Sequence, residues 1–240
     1  MKNQLKTQYI WIALIIVAVA GVLWMGYSRD GGGNLNAASA TGWFRGGESA
    51  PVVLVEYSDF QCPACGAWEP YIRQFKNDYG SNIKVVYKQF PLPQHLNAER
   101  AAEASEAAGL QDKFWEMHDK LFDTQTDWEA LDDPTDTFVG YASDLELDVD
   151  QFTTDIDSVA VKENVQKGIE EGRAVGVSYT PYFILNGEVF DNAQGPDGLK
   201  AAIEAAIADA GVTMGTSTDA VMTATTTSEM TTTSPAVSGN

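Results

Sequence analysis

The stretch VEYSDFQCPACGAW, residues 55–68, contains the only two cysteines of the 240-residue chain, Cys62 and Cys65. The apolar, β-branched run PVVLVEY at 51–57 predicts a buried strand just before them. The following segment ACGAWEPYIRQFKNDYG, residues 64–80, has apolar residues at intervals of three and four and ends in glycine, which predicts a helix. We therefore expect the cysteines at the junction between a strand and the start of a helix.

The rest of the chain predicts an α/β fold. NIKVVYKQFPL, residues 82–92, alternates in polarity and predicts a second strand, which completes a βαβ unit. Helical patterns then fill residues 97–175. The segment TPYFILNGEVF at 180–190 predicts a hairpin with its turn at the Asn-Gly pair 186–187, and a last helix is expected over about 196–210. The pattern indicates an α/β core interrupted by a helical insertion.

The N-terminal segment predicts attachment to a membrane. Residues 9–27, YIWIALIIVAVAGVLWMGY, are nineteen uncharged residues, a length that spans a bilayer as a helix. Lys2 and Lys6 precede this run and favour a cytoplasmic N-terminus, so residues 1–28 are predicted to be a membrane anchor. A signal peptide cleaved after the small residues 38–40 is the alternative. Both interpretations place the remaining chain outside the cytoplasm.

Two segments of biased composition flank the predicted domain, residues 48–211. Residues 29–47 are rich in Gly, Ala, Ser and Asn, which predicts a flexible linker. Residues 212–240 are rich in Thr and Ser and hold too few apolar residues for a core. This tail is expected to be disordered, or to form an O-glycosylated stalk.

The net charge of −19 argues against nucleic acid as a partner. Residues 1–30 sum to +2 and residues 211–240 to −2, so residues 31–210 carry the full −19. A field of this sign repels phosphate backbones and anionic lipid headgroups.

The spacing of the two cysteines favours redox chemistry over a structural role. A disulfide across two residues closes a loop too small to restrict the unfolded chain. A zinc site needs about four ligands, and the only histidines, His95 and His118, lie far away at no ligand spacing. If Cys62 caps the helix and Pro63 is its first residue, backbone N–H groups point at the sulfur and favour its thiolate. Cys65 is then placed to resolve a mixed disulfide.

Four motifs resemble the DsbA-like branch of the thioredoxin superfamily over about residues 48–210. They are CPAC after VEYSDFQ, FPLPQH at 90–95, FWEMHDKLF at 114–122 and GVSYTPYFILNG at 176–187. This resemblance implies a thioredoxin fold with a helical insertion. It also implies the activity of an exported thiol-disulfide oxidoreductase.

The resemblance assigns roles to five residues. Cys62 and Cys65 match the nucleophilic and resolving cysteines of the family. Glu56 matches a buried acid that moves a proton to or from the resolving thiol, since burial raises the pKa of a carboxyl group. Its alternative is a strand-edge glutamate facing water. Thr180 and Pro181 match the cis-proline loop that pairs with an extended substrate segment, and the alternative is an ordinary proline starting an edge strand.

The implied function is the formation of disulfides in exported proteins. The implied partners are thiol-containing exported proteins and a quinone-linked thiol oxidase of the membrane. No cofactor is expected besides the Cys62–Cys65 disulfide, and no metal. The alternatives are a reductase or isomerase of the same fold, and a non-catalytic binding module or holdase. Ala64 stands where the well-known enzyme of the family has a histidine, which predicts a less acidic Cys62 and a less oxidising disulfide.

Two further features are predicted to be structural. His95 follows a proline-rich turn, and His118 lies opposite or beside an apolar helical stripe, where packing or a surface position is expected. The acidic stretch DLELDVDQF, residues 144–152, lacks the glycine and glutamate of a calcium-binding EF-hand loop. Asp148 is instead expected to cap a helix beginning at Val149.

Overall fold

A computed structural model describes residues 42–212, which build a five-stranded sheet flanked by helices. The strands run in the order β1-β3-β2-β4-β5, with β2 and β3 parallel and the other neighbours antiparallel. Their bounds are β1 (Trp43–Gly46), β2 (Val52–Ser58), β3 (Ile83–Gln89), β4 (Tyr182–Leu185) and β5 (Glu188–Val189).

Six of the α-helices in this part of the chain form the predicted insertion between β3 and β4. Helix α1 (Pro63–Tyr79) follows the cysteines, and α8 (Gly195–Asp209) ends the domain. The insertion contains α2 (Ala98–Gly109), α3 (Phe114–Asp123), α4 (Gln125–Trp128), α5 (Thr135–Asp144), α6 (Val149–Asp155) and α7 (Val159–Ala174). Short 3-10 turns lie at Gly80–Asn82 and Asn192–Gln194.

Strand β2 is buried on both faces of the sheet, which explains its continuous apolar run. On one face Leu54 packs in a core with Ile72 of α1 and Ile203 of α8. On the other face Val55 packs with Val165 of α7. The loop that follows β2 therefore emerges from the most buried part of the fold.

The helical insertion has a core of its own. The stripe predicted on α3 is buried there, with Phe114, Met117 and Leu121 packed against Trp128 of α4 and Phe138 of α5. The indole N–H of Trp128 donates to the carbonyl of Leu121 at 3.0 Å. Because this polar group is satisfied, the large Trp128 side chain can be fully buried.

The prediction that residues 29–47 are a flexible linker is wrong for Trp43–Gly46, which form β1 along the edge of β3. The Trp43 ring stacks on Phe114 with centroids 4.7 Å apart, and its N–H donates to Glu106 at 3.0 Å. Strand pairing and ring burial outweigh the glycines on either side. The folded domain therefore begins before residue 48.

Two local predictions are confirmed. Asp148 caps α6, since its carboxylate accepts from the backbone N–H of Gln151 at 3.0 Å. The hairpin of β4 and β5 turns at Asn186 and Gly187, whose φ angles of 49° and 86° suit a type I′ turn.

The predicted membrane segment, residues 9–27, lies outside the described residues, as does the tail after residue 212. Between residues 42 and 212, none of the helices has both the length and the apolar character needed to cross a bilayer.

Candidate active site

Cys62 is the N-cap of α1 and Pro63 occupies the first turn, as predicted. Proline loses no helical hydrogen bond there, because the first N–H groups of a helix lack intrahelical partners. The insertion holds this turn in place: the side-chain amide of Gln125 donates to the carbonyls of Phe60 at 2.6 Å and Cys62 at 3.1 Å. The short helix α4 that carries Gln125 is not predicted from the sequence.

The surroundings of Cys62 lower the pKa of its thiol to about 5. The largest cause is a hydrogen bond from the Cys65 thiol, which outweighs the opposing effect of burial. Thr180 and the backbone N–H groups of Cys65 and Ala64 add to the stabilisation of the thiolate. Neutral donors thus make Cys62 acidic although Ala64 offers no charge. That Cys62 is less acidic than in relatives with a histidine there stays a prediction.

Cys65 has the opposite character. It lies three residues into α1 and is fully buried. Burial raises the pKa of the Cys65 thiol well above its usual value, and the hydrogen bond and charge of Cys62 and the charge of Glu56 raise it further. At neutral pH the pair therefore consists of a thiolate at Cys62 and a thiol at Cys65.

Glu56 is buried in the central strand β2 with 1% of its surface exposed. Burial is the main cause that raises its pKa to about 8, and the charge of Glu69 adds to it, while Ser58 and Arg45 act in the opposite direction. The alternative of a strand-edge glutamate facing water is wrong. A carboxyl group with this pKa is protonated at neutral pH and is able to donate to a neighbouring thiolate.

The peptide bond between Thr180 and Pro181 is cis. These residues precede β4, which lies between β2 and β5, so the alternative of a proline at an edge strand is wrong. The Cys62 sulfur lies 3.5 Å from the Thr180 carbonyl oxygen, and Asn192 donates to the Pro181 carbonyl at 2.7 Å. The predicted site residues Cys62, Cys65, Glu56, Thr180 and Pro181 thus meet at one end of β2.

Two buried hydroxyl groups beside Glu56 are absent from the sequence-based prediction. Ser58 lies two residues along the same face of β2, and Tyr87 is the register partner of Glu56 on β3. Burial, followed by the charges of Glu56 and Cys65, raises the pKa of Tyr87 well above its usual value. Within residues 42–212, Glu56 Oε1, Ser58 Oγ and Tyr87 Oη lack a hydrogen bond of standard geometry. The period of two along β2 is a sequence signal that could have identified Ser58, whereas the position of Tyr87 depends on strand register.

A network of charged groups joins β1, α1 and α3. Glu69 Oε1 accepts from Arg45 at 2.6 Å and from Arg73 at 2.9 Å. The same two guanidinium groups approach Asp119 Oδ1 to 3.1 and 3.4 Å. His118 is buried next to this network, with Nδ1 2.9 Å from Asp119 Oδ1. The packing expected of His118 is confirmed, but its polar partners are not predicted.

Glu69, His118 and Asp119 place three potential metal-ligand atoms within 4.8 Å of one another. Arg45 and Arg73 already bind the carboxylate oxygens of this group. Two guanidinium charges at such distances oppose a further cation, so the arrangement fits an ion-pair network better than a metal site.

His95 has a structural role, as expected. Its Nδ1 lies 2.6 Å from Asp59 Oδ2, which also accepts from the backbone N–H of Leu92 at 2.9 Å. These contacts join the loop after β3 to the loop that carries the cysteines.

Comparison with known proteins matches residues 38–205 to the thioredoxin family model Thioredoxin_4. Among curated proteins, the Na(+)/H(+) antiporter NhaA 1 of Salinispora arenicola is 38% identical over 165 residues, which cover 68% of this chain and 24% of the antiporter. The NhaA 1 antiporter of Mycolicibacterium vanbaalenii is 40% identical over 146 residues, which cover 60% of this chain and 23% of that protein. The chain thus spans about a quarter of the curated relatives it matches.

Solved structures share the fold at low sequence identity. Oxidised BdbD from Bacillus subtilis has a TM-score of 0.62 and 24% identity, covering 69% of this chain and 92% of that one. The thiol-disulfide exchange protein α-DsbA2 from Wolbachia pipientis has a TM-score of 0.58 and 22% identity, covering 68% and 85%. The catalytic domain of ScsC from Proteus mirabilis has a TM-score of 0.59 and 20% identity, covering 71% and 90%. A DsbA-like thioredoxin fold with a helical insertion is therefore established.

Proposed function

Because this chain belongs to the thioredoxin family, we propose that it is an extracytoplasmic thiol-disulfide oxidoreductase that forms disulfides in exported proteins. The observation that carries the proposal is the asymmetric cysteine pair facing the cis-proline loop. Cys62, whose pKa is about 5, lies 3.5 Å from the Thr180 carbonyl, while Cys65 is buried and its pKa is raised. A stabilised thiolate at Cys62 favours the dithiol form of the pair, and such a pair oxidises other thiols.

The first step breaks the Cys62–Cys65 disulfide. A substrate thiolate attacks Cys62 Sγ, a mixed disulfide forms, and Cys65 departs as a thiolate. Glu56, which is protonated at neutral pH, donates its proton to Cys65. Once protonated, Cys65 is a thiol and does not attack the mixed disulfide again.

The second step releases the oxidised substrate. A second substrate thiolate attacks the substrate sulfur of the mixed disulfide, the substrate disulfide forms, and Cys62 departs. A thiol with a pKa of about 5 is a good leaving group. Two electrons have then passed from the substrate to the protein, and a quinone-linked thiol oxidase of the membrane is the proposed partner that removes them.

The cis-proline loop is the proposed substrate-binding edge. Pro181 has no N–H, and the backbone carbonyl oxygen of Thr180 lies 3.5 Å from the Cys62 sulfur. An extended substrate segment would pair with that backbone as an added strand, which places its cysteine sulfur at Cys62.

Attachment to the membrane is part of the proposal. The apolar run at 9–27, preceded by two lysines, supports a single-pass anchor with the domain on the extracytoplasmic side. The curated relatives are named Na(+)/H(+) antiporters and contain the matching domain within a longer chain, which supports a site of action at a membrane.

The test uses the full chain in its oxidised form and a reduced, unfolded protein whose native state has disulfides. Wild type is expected to oxidise this substrate with one dithiol consumed per protein, and Cys62→Ser is expected to be inactive. Cys65→Ser, the matched control, is expected to trap a mixed disulfide through Cys62 because nothing resolves it. Retention of full activity by Cys62→Ser in cells would instead support the binding module. Turnover only in the direction of substrate reduction would support the reductase.

A further inference from the structure

Gly66 follows Cys65 directly and lies within helix α1, where glycine is less favourable than other residues. Its backbone does not have a positive φ angle, so the conformation itself does not require glycine. The surrounding space does require it, because a Cβ atom on residue 66 would lie 3.0 Å from Gln125 Oε1 and 3.4 Å from Gln125 Cδ and Nε2. Gly66 therefore leaves room beside the cysteines for the terminal amide of Gln125.

Gln125 is the first residue of α4, and the core of the insertion fixes this short helix. Trp128 of the same helix is fully buried, and its indole N–H donates to the Leu121 carbonyl at 3.0 Å. The hydroxyl of Thr124, the N-cap residue of α4, donates to the Lys120 carbonyl at 2.7 Å. Contacts on both sides thus hold the backbone of Gln125, and its side chain reaches the cysteine loop from a fixed position.

The amide of Gln125 binds two backbone carbonyls of the cysteine loop. Its Nε2 donates to the Phe60 carbonyl at 2.6 Å and to the Cys62 carbonyl at 3.1 Å, which uses both of its N–H groups. The Cys62 carbonyl also accepts from the backbone N–H of Gly66 at 3.1 Å, the first hydrogen bond of α1. Because two donors meet at this one carbonyl, they fix the orientation of the peptide group that joins Cys62 to Pro63.

The orientation of this peptide group decides whether the sulfur meets the donors at the start of α1. Cys62 has φ −70° and ψ 119°, the extended conformation of an N-cap residue. The thiol of Cys65 has the largest effect that lowers the Cys62 pKa, and the backbone N–H groups of Cys65 and Ala64 belong to the same first turn. The sulfur faces all of these donors only while Cys62 keeps this conformation.

We propose that Gln125 is a positioning residue for the nucleophile: by binding the Phe60 and Cys62 carbonyls, it holds the Cys62 sulfur against the first turn of α1 and thereby sets its reactivity. Gln125 acts through the backbone of Cys62. The inference rests on the proposed function, because the reactivity concerned is that of Cys62 in thiol-disulfide exchange. It gives the helical insertion a part in the chemistry, since Gln125 comes from the insertion and Cys62 from the thioredoxin core.

The experiment measures how fast iodoacetamide alkylates Cys62 in the reduced full chain as a function of pH. Gln125→Met keeps the length of the side chain, and thus its packing against Gly66, but removes both donors. At pH 5, close to the Cys62 pKa, this variant is expected to react at least about twofold more slowly than wild type, because less thiolate is present. At pH 8 the two rates are expected to agree, since Cys62 is then a thiolate in both proteins.

Gln166→Met is the matched control, because it makes the same change at an exposed position of α7 in the insertion, and it is expected to keep the wild-type pH profile. Gly66→Leu gives a second test, since its side chain occupies the place of the Gln125 amide. It is expected to slow the reaction at pH 5 as Gln125→Met does. The double variant is expected to react no more slowly than either single variant, because both changes remove the same contact.

Three outcomes would overturn the role of Gln125. They are equal pH profiles for wild type and Gln125→Met, a slowing of the same size at pH 5 and pH 8, and additive slowing in the double variant with Gly66→Leu. Oxidation of a dithiol substrate by wild type is measured separately. A wild-type protein that fails to oxidise this substrate, but differs from Gln125→Met at pH 5 alone, would contradict the proposed function and support the positioning role.

Discussion

At the scale of single residues, the positions of Cys62 and Cys65 at the start of α1 decide the chemistry of the cysteine pair. Cys62, the N-cap residue, accepts hydrogen bonds from groups at the start of the helix, whereas Cys65 is the third residue of the helix and is buried in the core. The same element therefore lowers the pKa of one thiol and raises that of the other. This asymmetry follows from the spacing in CPAC and is the part of the site that the sequence predicts best.

Cys65 is expected to control the acidity of Cys62, because its thiol gives the largest contribution to the lowered pKa. In Cys65→Ala this donor is lost, so the pKa of Cys62 is expected to rise well above about 5. In Cys65→Ser the hydroxyl still donates and the pKa is expected to stay near the wild-type value. Thiolate absorbance of the full chain as a function of pH measures both. The same titration curve for the two variants would contradict this expectation.

Glu56 is expected to make folding dependent on pH. Its pKa is about 8 in the folded protein and about 4.5 when unfolded, so folding takes up a proton between these values. The stabilising contribution is full below pH 4.5 and is lost as the pH rises toward 8. Reduced wild type is therefore expected to lose stability across this window relative to Glu56→Gln.

Urea unfolding of both proteins at several pH values measures this difference. The Cys62 thiolate contributes a slope of the opposite sign, since its lowered pKa adds stability as the pH rises from about 5. It is present in both proteins, so the comparison isolates Glu56. Parallel stability curves for the two proteins would contradict the raised pKa.

At the scale of secondary structure elements, β1 is the strand that the sequence does not predict. The segment WFRG lies among glycines and is only four residues long, with alternate residues half-buried and exposed. Its composition therefore favours a linker. Its strand conformation depends on pairing with β3 and on Trp43 reaching Phe114 of α3, contacts between distant positions of the chain. Strands β2 and β3 and helix α1 are predicted because their periodicity is local.

Trp43 is expected to be the anchor of β1. Trp43→Ala removes the ring stacked on Phe114 and one of the donors to buried Glu106, and is expected to destabilise the domain by about 3 kcal/mol. Phe44→Ala, at the neighbouring position of the same strand, is the control, because that ring is exposed and lies under the ammonium group of Lys84. Urea unfolding measures both changes. Equal losses in the two variants would mean that β1 contributes by pairing alone.

The charged network around Glu69 could not be predicted from the sequence. Arg45, Glu69 and His118 come from β1, α1 and α3, and no spacing along the chain relates them. The resemblance carried over Glu56 and Pro181 because they belong to local motifs around the cysteines and the cis-proline loop. Charged groups that meet only through tertiary packing have no such motif, so the structure is needed to bring them together.

At the scale of the whole molecule, the direction of electron flow depends on the free energy difference between the disulfide and the dithiol. The lowered pKa of Cys62 stabilises the dithiol at neutral pH and makes the disulfide more oxidising. The absence of a charged residue at position 64, which is alanine, acts in the opposite direction. The reduction potential is the quantity that combines both effects.

We expect the full chain, equilibrated with glutathione buffers, to have a reduction potential nearer to about −120 mV than to about −270 mV. Neutral donors already lower the pKa of Cys62 to about 5, so the dithiol is strongly favoured. Ala64→His is expected to raise the potential by about 30 mV, because a cation beside Cys62 stabilises the thiolate further. Lys76→His, at the last turn of α1, is the control and is expected to leave the potential unchanged. A value close to about −270 mV would instead identify a reductase, which needs an electron donor rather than a thiol oxidase as its membrane partner.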